Sequence, residues 1–387
     1  MVYLDNAATT QPDPAVVEEM LPFFREAYGN PGTLYQLGRE ARQAVDLARE
    51  RVALFIGAKP EQIVFTSGGT EANNMVFYSL RNYLHKQNKT HIITSMTEHD
   101  SVFRTVNEMC IKHGFYSSFI KPNINGVVLA SEVQKEIKPN LTGIVSVMHT
   151  NNETGAVNPV ADIGKLCGNN GILFHTDCVQ AASSSRLNVD ELCCDFLSIS
   201  SHKIYGCKGV GALYVKTPEL IRPLIIGGSH QEFGLRGGTE NVPGIVGFGK
   251  ACELANEWID KANEKYGVLK EAFYEALYKT LDKDGFADII HINGTGITES
   301  GKILNINFDG VDGETLLLML DAAGICVSAG SACRSHEQEP SRVLLSMGID
   351  EEDARNSIRV SFSIKQSLSE VQFAGERIGD LICQLLI

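Results

Sequence analysis

A lysine stands in an unusual setting in the segment SISSHKIYGCKG. Lys203 follows an alternating apolar run, with serines and a histidine before it and glycines after it. An ordinary surface lysine needs no such surroundings, whereas a desolvated lysine at a strand end can form a Schiff base. Asp177 ends the preceding apolar run, ILFHT, and a buried carboxylate needs a cation or a hydrogen-bond donor. A helix N-cap is an alternative explanation for Asp177 alone, but one strand-helix-strand crossover would bring both residues to the same crevice.

The segment SGGTEANN has the features of an anion site. Gly68 and Gly69 would allow close approach of the backbone to a ligand, and Thr70 stands where a helix would begin. Free N–H groups and the helix dipole at such a position favour a phosphate, although a Gly-Gly turn capped by threonine can start any helix. A phosphate site, Asp177 and Lys203 together suggest pyridoxal phosphate, since an aspartate can keep the ring nitrogen protonated and the ring can then accept electrons.

These segments follow short β-branched runs that repeat between about residues 60 and 215. The runs are EQIVFTS, THIITS, LTGIVSVMH, GILFHT, DFLSIS and GVGALYV. They predict buried strands of a largely parallel α/β sheet, and such sheets bind ligands outside the carboxyl ends of their strands. We therefore expect the clusters SGGTEANN, MTEHDS, TNNETG, DCVQ and SHK to converge on one crevice, where Ser200 and His202 would help to hold the phosphate.

The chain changes character after about residue 265. A helical stretch, YGVLKEAFYEALYKTL, is followed by ILNINFDG, ICVSAGSACRS and SIRVSFS, with helical patterns between them. This order predicts a second, smaller α+β domain. We assign residues 16–260 to the large cofactor-binding domain, and residues 1–15 and 261–387 to the small domain.

Composition and charge restrict the classes of function. Hydrophobic residues make up 43% and charged residues 21% of the 387 residues, as in soluble globular proteins. A net charge of -13 without a basic block argues against direct binding of nucleic acid. No segment has the pattern of a signal peptide or of a membrane span, so a cytoplasmic location is predicted. The ten cysteines form no C-x-x-C pair, and Cys333 with His336 is only a weak zinc signal, so we expect no metal.

Several longer motifs occur together in one order. From Leu4 to beyond Arg359 the chain contains LDNAATT, GNP, TSGGTEANN, TEHDSV, NNETGAV, HTDCVQA, SHKIYG, RGGTENVPGIVGFGKA and SAGSAC. In this combination it resembles the cysteine desulfurases of the NifS/IscS type, in the class-V aminotransferase family. The resemblance covers nearly the whole chain. It implies the type I fold of pyridoxal phosphate enzymes, a homodimer with active sites near the subunit interface, and conversion of L-cysteine to L-alanine with formation of an enzyme persulfide.

The resemblance also implies roles for single residues. Lys203 would carry the cofactor and act in catalysis, and Asp177 would contact its ring nitrogen. His99 would stack on the ring and take part in catalysis, and Gln180 would bind the phenolic oxygen. The residues implied in phosphate binding are Gly69, Thr70, Ser200, His202 and, from the other subunit, Thr239. The residues implied in binding the substrate carboxylate are Asn30, Arg359 and Asn152, the last of which would also contact the cofactor.

Cys333 in SAGSACRS matches the family's nucleophile. Small polar neighbours and the adjacent Arg334 favour an exposed thiol whose thiolate is stabilised, whereas any single cysteine among the ten could instead be a buried hydrophobic residue. Arg334 departs from the threonine or alanine that is usual in the family. Cys207 and Tyr35 are further departures, since proline and histidine are usual at their positions. These departures leave the subfamily, and hence the sulfur acceptor, open.

Two other classes of function remain as alternatives. A selenocysteine lyase, an aminotransferase or a kynureninase-like enzyme would share the fold, but an aminotransferase needs no thiol at Cys333. A catalytically idle scaffold would be expected to lack Lys203 or Cys333, and both are present. A desulfurase would pass sulfur to a scaffold protein or a thiolation enzyme. The pathway could be iron-sulfur cluster assembly, tRNA thiolation, thiamine or molybdenum cofactor synthesis, or DNA phosphorothioation.

Overall fold

The computed structural model describes residues 1–294, 301–329 and 340–386. Its helices are α1 (Pro14–Met20), α2 (Pro22–Arg25), α3 (Gln36–Ile56), α4 (Gly69–Lys86), α5 (Asp100–His113), α6 (Ala130–Glu136), α7 (Val160–Asn169), α8 (Val242–Lys283), α9 (Gly313–Ala322), α10 (Arg342–Ser346), α11 (Glu351–Asn356) and α12 (Leu368–Leu386). Its strands are β1 (Val2–Tyr3), β2 (Ile63–Thr66), β3 (His91–Ser95), β4 (Tyr116–Ile120), β5 (Thr142–Ser146), β6 (Leu173–Asp177), β7 (Phe196–Ser200), β8 (Gly211–Val215), β9 (Ile290–Asn293), β10 (Ile303–Phe308), β11 (Ile325–Cys326), β12 (Ser328–Ala329) and β13 (Ile358–Ser361). Among these helices, none is both long enough and apolar enough to cross a membrane.

The larger sheet has the strand order β2-β8-β7-β6-β5-β3-β4. The strands from β7 to β4 are parallel to one another, and β8 is antiparallel to both of its neighbours. Most of these strands are buried along their whole length, which explains their continuous runs of β-branched and apolar residues. The prediction of an α/β fold with a largely parallel sheet is confirmed.

The strand directions bring five loops to one edge of this sheet. β2 and β7 each run antiparallel to β8, so β2 points the same way as the parallel strands. The carboxyl ends of β2, β3, β5, β6 and β7 therefore lie along the same edge. Each of these ends carries one of the polar clusters that the sequence places after an apolar run.

A second sheet follows in the last third of the chain. Its order is β12-β13-β10-β9, and its neighbouring strands are antiparallel. The N-terminal arm, residues 1–13 before α1, joins this part of the molecule, because β1 pairs with β11 and Asp5 forms a bridge with Ser361. Leu4 of the arm is buried in the same apolar core as Phe308 and Phe362.

Helix α8 runs through both apolar cores without interruption. Its side chains pack in the core of the larger sheet up to Ala255 and in the second core from Ile259 onward. The boundary assigned between residues 260 and 261 would thus fall inside a helix and not in a linker. The division into residues 16–260, and 1–15 with 261–387, stays a prediction.

Glycines near the start of α8 permit its close contact with α3. A Cβ atom at Gly249 would lie 2.6 Å from Cα of Ala48, far inside van der Waals contact. Asn241 caps the helix by accepting a hydrogen bond from the Gly244 N–H group at 3.2 Å, and Pro243 suits the first turn, where no N–H partner is needed. The segment GIVGFG therefore forms a helix in spite of its glycines, since tight packing outweighs their weak helix propensity.

A buried ion pair fixes the segment that precedes α8. The guanidinium of Arg49, on α3, donates to both carboxylate oxygens of Glu232 at 2.7 and 2.8 Å, and both residues are almost inaccessible. Glu232 also accepts from the Phe65 N–H group at 2.7 Å, and Arg49 donates to the Ile63 carbonyl. The backbone at Glu232 and Phe233 has positive φ angles, 42° and 58°, so these contacts hold a strained turn against β2.

We expect Glu232→Gln to lower the free energy of unfolding by about 3 to 5 kcal/mol, because it leaves the buried Arg49 charge without its counterion. Denaturant unfolding would measure this change. Glu275→Gln is the control, because the ion pair of Glu275 with Lys279 is exposed and such pairs contribute about 0.5 kcal/mol or less. Equal losses in the two variants would contradict the assignment.

Candidate active site

A cavity of about 450 Å³ opens at the edge where the five strand ends meet. Residues from all five polar clusters line it, together with Ala7 and Ala8 of the N-terminal arm and with Arg342 and Arg359. The convergence that the order of runs predicts is therefore present in the structure. The arm and the second sheet complete the cavity.

Lys203 lies in a short 3-10 turn directly after β7. Its side chain is buried and lines the cavity. The amine Nζ donates hydrogen bonds to the carbonyl oxygens of Ala7 and, at 2.7 Å, Ala8. A lysine in this position can act as a nucleophile or as a base toward a ligand in the cavity.

Asp177 is the last residue of β6 and is also buried in the cavity wall. Its Oδ2 accepts from Asn73 Nδ2 at 2.6 Å, and its Oδ1 accepts from the Val179 N–H group at 2.9 Å. Asn73 lies in SGGTEANN but was not predicted as a site residue. Asn73 also donates to Ser101 Oγ at 2.8 Å. Asp177 is thus a carboxylate fixed by two donors.

His99 follows β3 and caps helix α5. Its Nδ1 accepts from the Ser101 N–H group at 3.1 Å, so the neutral ring carries its proton on Nε2. Burial lowers the pKa of His99. Among the charged groups nearby, Asp177 and Asp100 raise this pKa, and Lys203 and Arg342 lower it. A neutral imidazole in the cavity wall can stack on an aromatic ligand or transfer a proton.

The other end of the cavity has the features of a phosphate site. Gly68 has a φ angle of 152°, which favours glycine, and helix α4 begins at the next residue. Gly69 and Thr70 therefore present the first N–H groups of α4 to the cavity. Ser200 and His202 face it from the end of β7. Burial lowers the pKa of His202 to about 3, so its imidazole is neutral.

Arg359 on β13 is buried and is held by the N-terminal arm. Its Nη2 donates to Asp5 Oδ1 at 2.7 Å, and its Nη1 donates to the Asn152 carbonyl at 2.9 Å. Asn152 also lines the cavity. Asp5 was not predicted as a site residue, although its position as the acidic residue of LDNAATT was an available signal. This guanidinium is oriented for a planar anion such as a carboxylate.

Gln180 leaves a buried acceptor in the cavity wall. Its Nε2 donates to the Ala7 carbonyl at 2.9 Å. Its Oε1 has no hydrogen-bond partner within the described part of the chain. Such an atom is costly unless a ligand supplies a donor.

Some predicted site residues lie elsewhere. Asn30 accepts from the Gly32 N–H group in an exposed loop, Thr239 is exposed, and neither lines this cavity. Cys333, with its neighbours Arg334 and His336, lies outside the described residues. The roles assigned to the individual site residues stay predictions.

Glu98 and Arg342 are cavity residues that the sequence analysis did not single out. Glu98 is 1% exposed, and its Oε1 accepts from the Met148 N–H group and from Ser95 Oγ, both at 2.8 Å. Burial raises the pKa of Glu98 to about 8, and the nearby Asp177 adds to this effect. Arg342 donates to the Glu98 carbonyl at 2.6 Å. Glu98 thus holds β3 and β5 together as a neutral acid near pH 7.

Three comparisons with known proteins each give matches that cover nearly the whole chain. A sequence model of the Aminotransferase class-V family matches residues 2–373. A protein of Clostridium botulinum named cysteine desulfurase IscS is 41% identical over 385 residues, which cover 99% of this chain and 94% of that protein. A solved NifS-like protein has a TM-score of 0.88 and 35% identity, over 99% of both chains. A structure described as SspA in complex with cysteine has a TM-score of 0.79 and 33% identity, over 95% of this chain and 100% of that one.

The state of Glu98 predicts a specific pH dependence of stability. Its pKa rises from an ordinary value of 4.5 to about 8 on folding, so its stabilising contribution is complete below pH 4.5 and is lost as pH rises to 8. In that range the free energy of unfolding of the wild type should fall, relative to Glu98→Gln, by about 1.4 kcal/mol per pH unit. Denaturant unfolding at several pH values measures this slope. Parallel curves of the free energy of unfolding against pH for the two proteins would show that Glu98 is ionised in the folded state and that its pKa is not raised. Glu275→Gln is the exposed control.

Proposed function

The chain belongs to the class-V aminotransferase family, and we propose that it is a cysteine desulfurase that uses pyridoxal phosphate. Its fold is that of type I pyridoxal phosphate enzymes, and the resemblance to the NifS/IscS type is confirmed. The observation that carries the proposal is the meeting of Lys203, Asp177, His99 and Arg359 in one buried cavity. The reaction converts L-cysteine to L-alanine and leaves the sulfur on the enzyme as a persulfide.

The residues of the cavity fit pyridoxal phosphate. Lys203 offers an amine, the start of α4 offers N–H groups for a phosphate, and Gln180 Oε1 still lacks a donor. When bound, the cofactor supplies a ring that accepts electrons and a carbonyl that can join an amine. Asp177 would hold a proton at the ring nitrogen, and His99 would cover one face of the ring. Ser200, with the N–H groups of Gly69 and Thr70, would bind the phosphate.

The chain's own groups then act on the substrate. Arg359 binds the carboxylate of cysteine, because its planar fork matches two carboxylate oxygens. Asp5 occupies one side of this guanidinium through a 2.7 Å contact, so it orients Arg359 before the substrate arrives. Lys203 takes the proton from the α-carbon, and its nitrogen lies among main-chain carbonyl oxygens that can stabilise the protonated amine.

Cys333 accepts the sulfur. The C–S bond of cysteine breaks, an S–S bond forms at Cys333 Sγ, and the β-carbon gains the hydrogen that makes it the methyl group of alanine. The two thiols are oxidised to a persulfide while the β-carbon is reduced, so no external oxidant is needed. The described residues on either side support this role, because Ser328 pairs with Arg359 and Arg342 lines the cavity.

The active protein is a homodimer in this proposal. Asn30 and Thr239 lie in exposed segments away from the cavity of their own chain, where they can contribute to the site of a second copy. These segments also expose large apolar side chains, among them Leu34 at 90% and Ile226 at 87% exposure, which a partner would cover. The sulfur then passes to an acceptor protein, a scaffold for iron-sulfur clusters or a thiolation enzyme.

We expect Lys203→Ala to abolish both covalent attachment of the cofactor and turnover, because no amine remains to join its carbonyl or to move the α-proton. Borohydride reduction followed by mass spectrometry should show a pyridoxyl group on the wild-type peptide that contains Lys203. Lys208→Ala is the control, since Lys208 is exposed in the same loop. Wild-type turnover by Lys203→Ala would refute the cofactor assignment.

We expect Cys333→Ser to bind the cofactor yet to form no persulfide and almost no alanine. A serine hydroxyl is not ionised near neutral pH and is a much weaker nucleophile toward sulfur. Mass spectrometry after brief incubation with cysteine should show one added sulfur atom on the wild-type Cys333 peptide. Cys326→Ser is the matched control and should keep full activity. Label on Cys326 or Cys207, or normal turnover by Cys333→Ser, would show that another residue is the nucleophile.

A further inference from the structure

The N-terminal arm contacts the turn that carries Lys203 on both sides of the lysine. Thr10 is 2% exposed, and its hydroxyl donates to the His202 carbonyl oxygen at 3.0 Å. The same hydroxyl oxygen accepts from the Tyr205 N–H group at 2.8 Å. The Thr10 N–H group also donates to the His202 carbonyl oxygen, at 2.9 Å. One buried threonine therefore joins the residue before Lys203 to the residue two positions after it.

Tyr205 has a backbone conformation that needs support from its surroundings. Its φ angle is 65°, in the left-handed region where a bulky side chain is strained. A strained residue keeps such a conformation only when its neighbours fix it. After Tyr205 the chain turns back, and the Gly206 N–H group donates to the Ser201 carbonyl oxygen at 3.0 Å. The left-handed residue thus closes the turn that contains Lys203.

Contacts from three directions fix Tyr205. Its phenolic oxygen lies 2.9 Å from Ser363 Oγ and accepts from the Ile364 N–H group at 3.1 Å. Its carbonyl oxygen accepts from the Asp13 N–H group at 2.8 Å, and its own N–H group donates to the Thr10 hydroxyl. Without that hydroxyl, a buried N–H group would lose its acceptor, which is costly. The left-handed conformation would then lose one of its supports.

The same arm holds the amine at the end of the Lys203 side chain. Nζ donates to the carbonyl oxygens of Ala7 and, at 2.7 Å, Ala8. Thr10 lies two residues beyond Ala8, so one short segment fixes both the backbone and the amine of the lysine. Attack by a nucleophile requires the reacting atoms to lie about 3 to 3.5 Å apart, and an error of about 1 Å can slow a reaction about 100-fold. A fixed backbone at Lys203 therefore has a direct use in the proposed reaction.

We propose that Thr10 is a positioning residue whose hydroxyl holds the Lys203 turn in the geometry that directs the amine to the cofactor's carbonyl carbon. In the attachment step, the Lys203 nitrogen forms a C=N bond to that carbon. The carbonyl oxygen leaves as water with the two hydrogens of the neutral amine. The inference rests on the proposed function, since it concerns the nitrogen that joins the cofactor. Thr10 does not line the cavity and acts through Lys203.

The test measures how fast pyridoxal phosphate attaches to the full-length protein after the bound cofactor has been removed. Its readout is the rate at which the visible absorbance of the Lys203-cofactor linkage appears. We expect Thr10→Val to slow attachment by at least about tenfold, because valine has the shape of threonine but cannot bond to His202 or Tyr205. With L-cysteine, kcat should fall by a similar factor while KM changes by less than about twofold, since Arg359 is untouched. Thr10→Ser keeps the hydroxyl and should keep the wild-type rate.

Thr142→Val is the matched control. Thr142 is also 2% exposed, and its hydroxyl oxygen accepts from the Lys138 N–H group at 2.9 Å. It begins β5, at the end of that strand away from the cavity. The control thus loses the same kind of hydrogen bond in a comparable environment, and it should attach the cofactor at the wild-type rate. An effect of lower stability alone would appear in both valine variants.

The possible outcomes separate the inference from the proposed function. A wild-type rate in Thr10→Val, or an equal slowing in Thr10→Ser or Thr142→Val, would overturn the inference while the proposed function stands. If Thr10→Val does not fold, Thr10→Ala replaces it, since the smaller side chain also lacks the hydroxyl. Failure of both variants to fold would show that the fold itself requires the hydroxyl and would overturn the inference as well. Absence of any linkage in the wild type would overturn both the inference and the proposed function.

Discussion

The hydrogen bonds from the Lys203 amine to the carbonyl oxygens of Ala7 and Ala8 join the two halves of the molecule. Lys203 belongs to the end of the larger sheet, whereas the arm that carries these carbonyls is held by the smaller sheet. The Ala7 N–H group donates to Ser361 Oγ at 2.8 Å, and Asp5 pairs with Arg359 on the same strand. Both sheets direct polar side chains toward this arm, and the arm forms hydrogen bonds with only some of them. The cavity lies where the other polar groups remain.

Burial decides the charge states around the cavity. It keeps His99 and His202 neutral and favours the protonated form of Glu98, since each would otherwise carry an unpaired charge away from water. The guanidinium groups of Arg342 and Arg359 share the cavity wall with the carboxylates of Asp100, Glu153 and Asp177. A guanidinium offers paired N–H donors, so Arg359 suits a substrate with a carboxylate.

The sequence predicts the parts of the fold that local patterns determine. The β-branched runs locate most strands of the larger sheet, but β4 was missed, because YSSFI has serines on a half-buried edge strand. The continuous helix α8 was missed at its start, because the glycines of GIVGFG indicate a loop until their contact with α3 is known.

Asn73 and Asp5 could not be assigned, since their partners Asp177 and Arg359 are more than 100 residues away along the chain. Asn30 and Thr239, which were predicted to bind ligands, lie outside the cavity of their own chain.

The unpaired polar atoms of the cavity explain how stability and function are related here. Gln180 Oε1, Asn73 Oδ1, Glu98 Oε2 and Arg359 Nε are buried and lack hydrogen-bond partners in the described part of the chain. Each such atom costs about 1 to 3 kcal/mol, a large amount for a folded protein of marginal stability. Other buried atoms without partners in the described residues lie outside the cavity, among them Arg49 Nε, Ser79 Oγ and Asn263 Oδ1, so the cavity shares this cost with the rest of the fold. A polar ligand that supplies the missing partners in the cavity would therefore stabilise the folded chain.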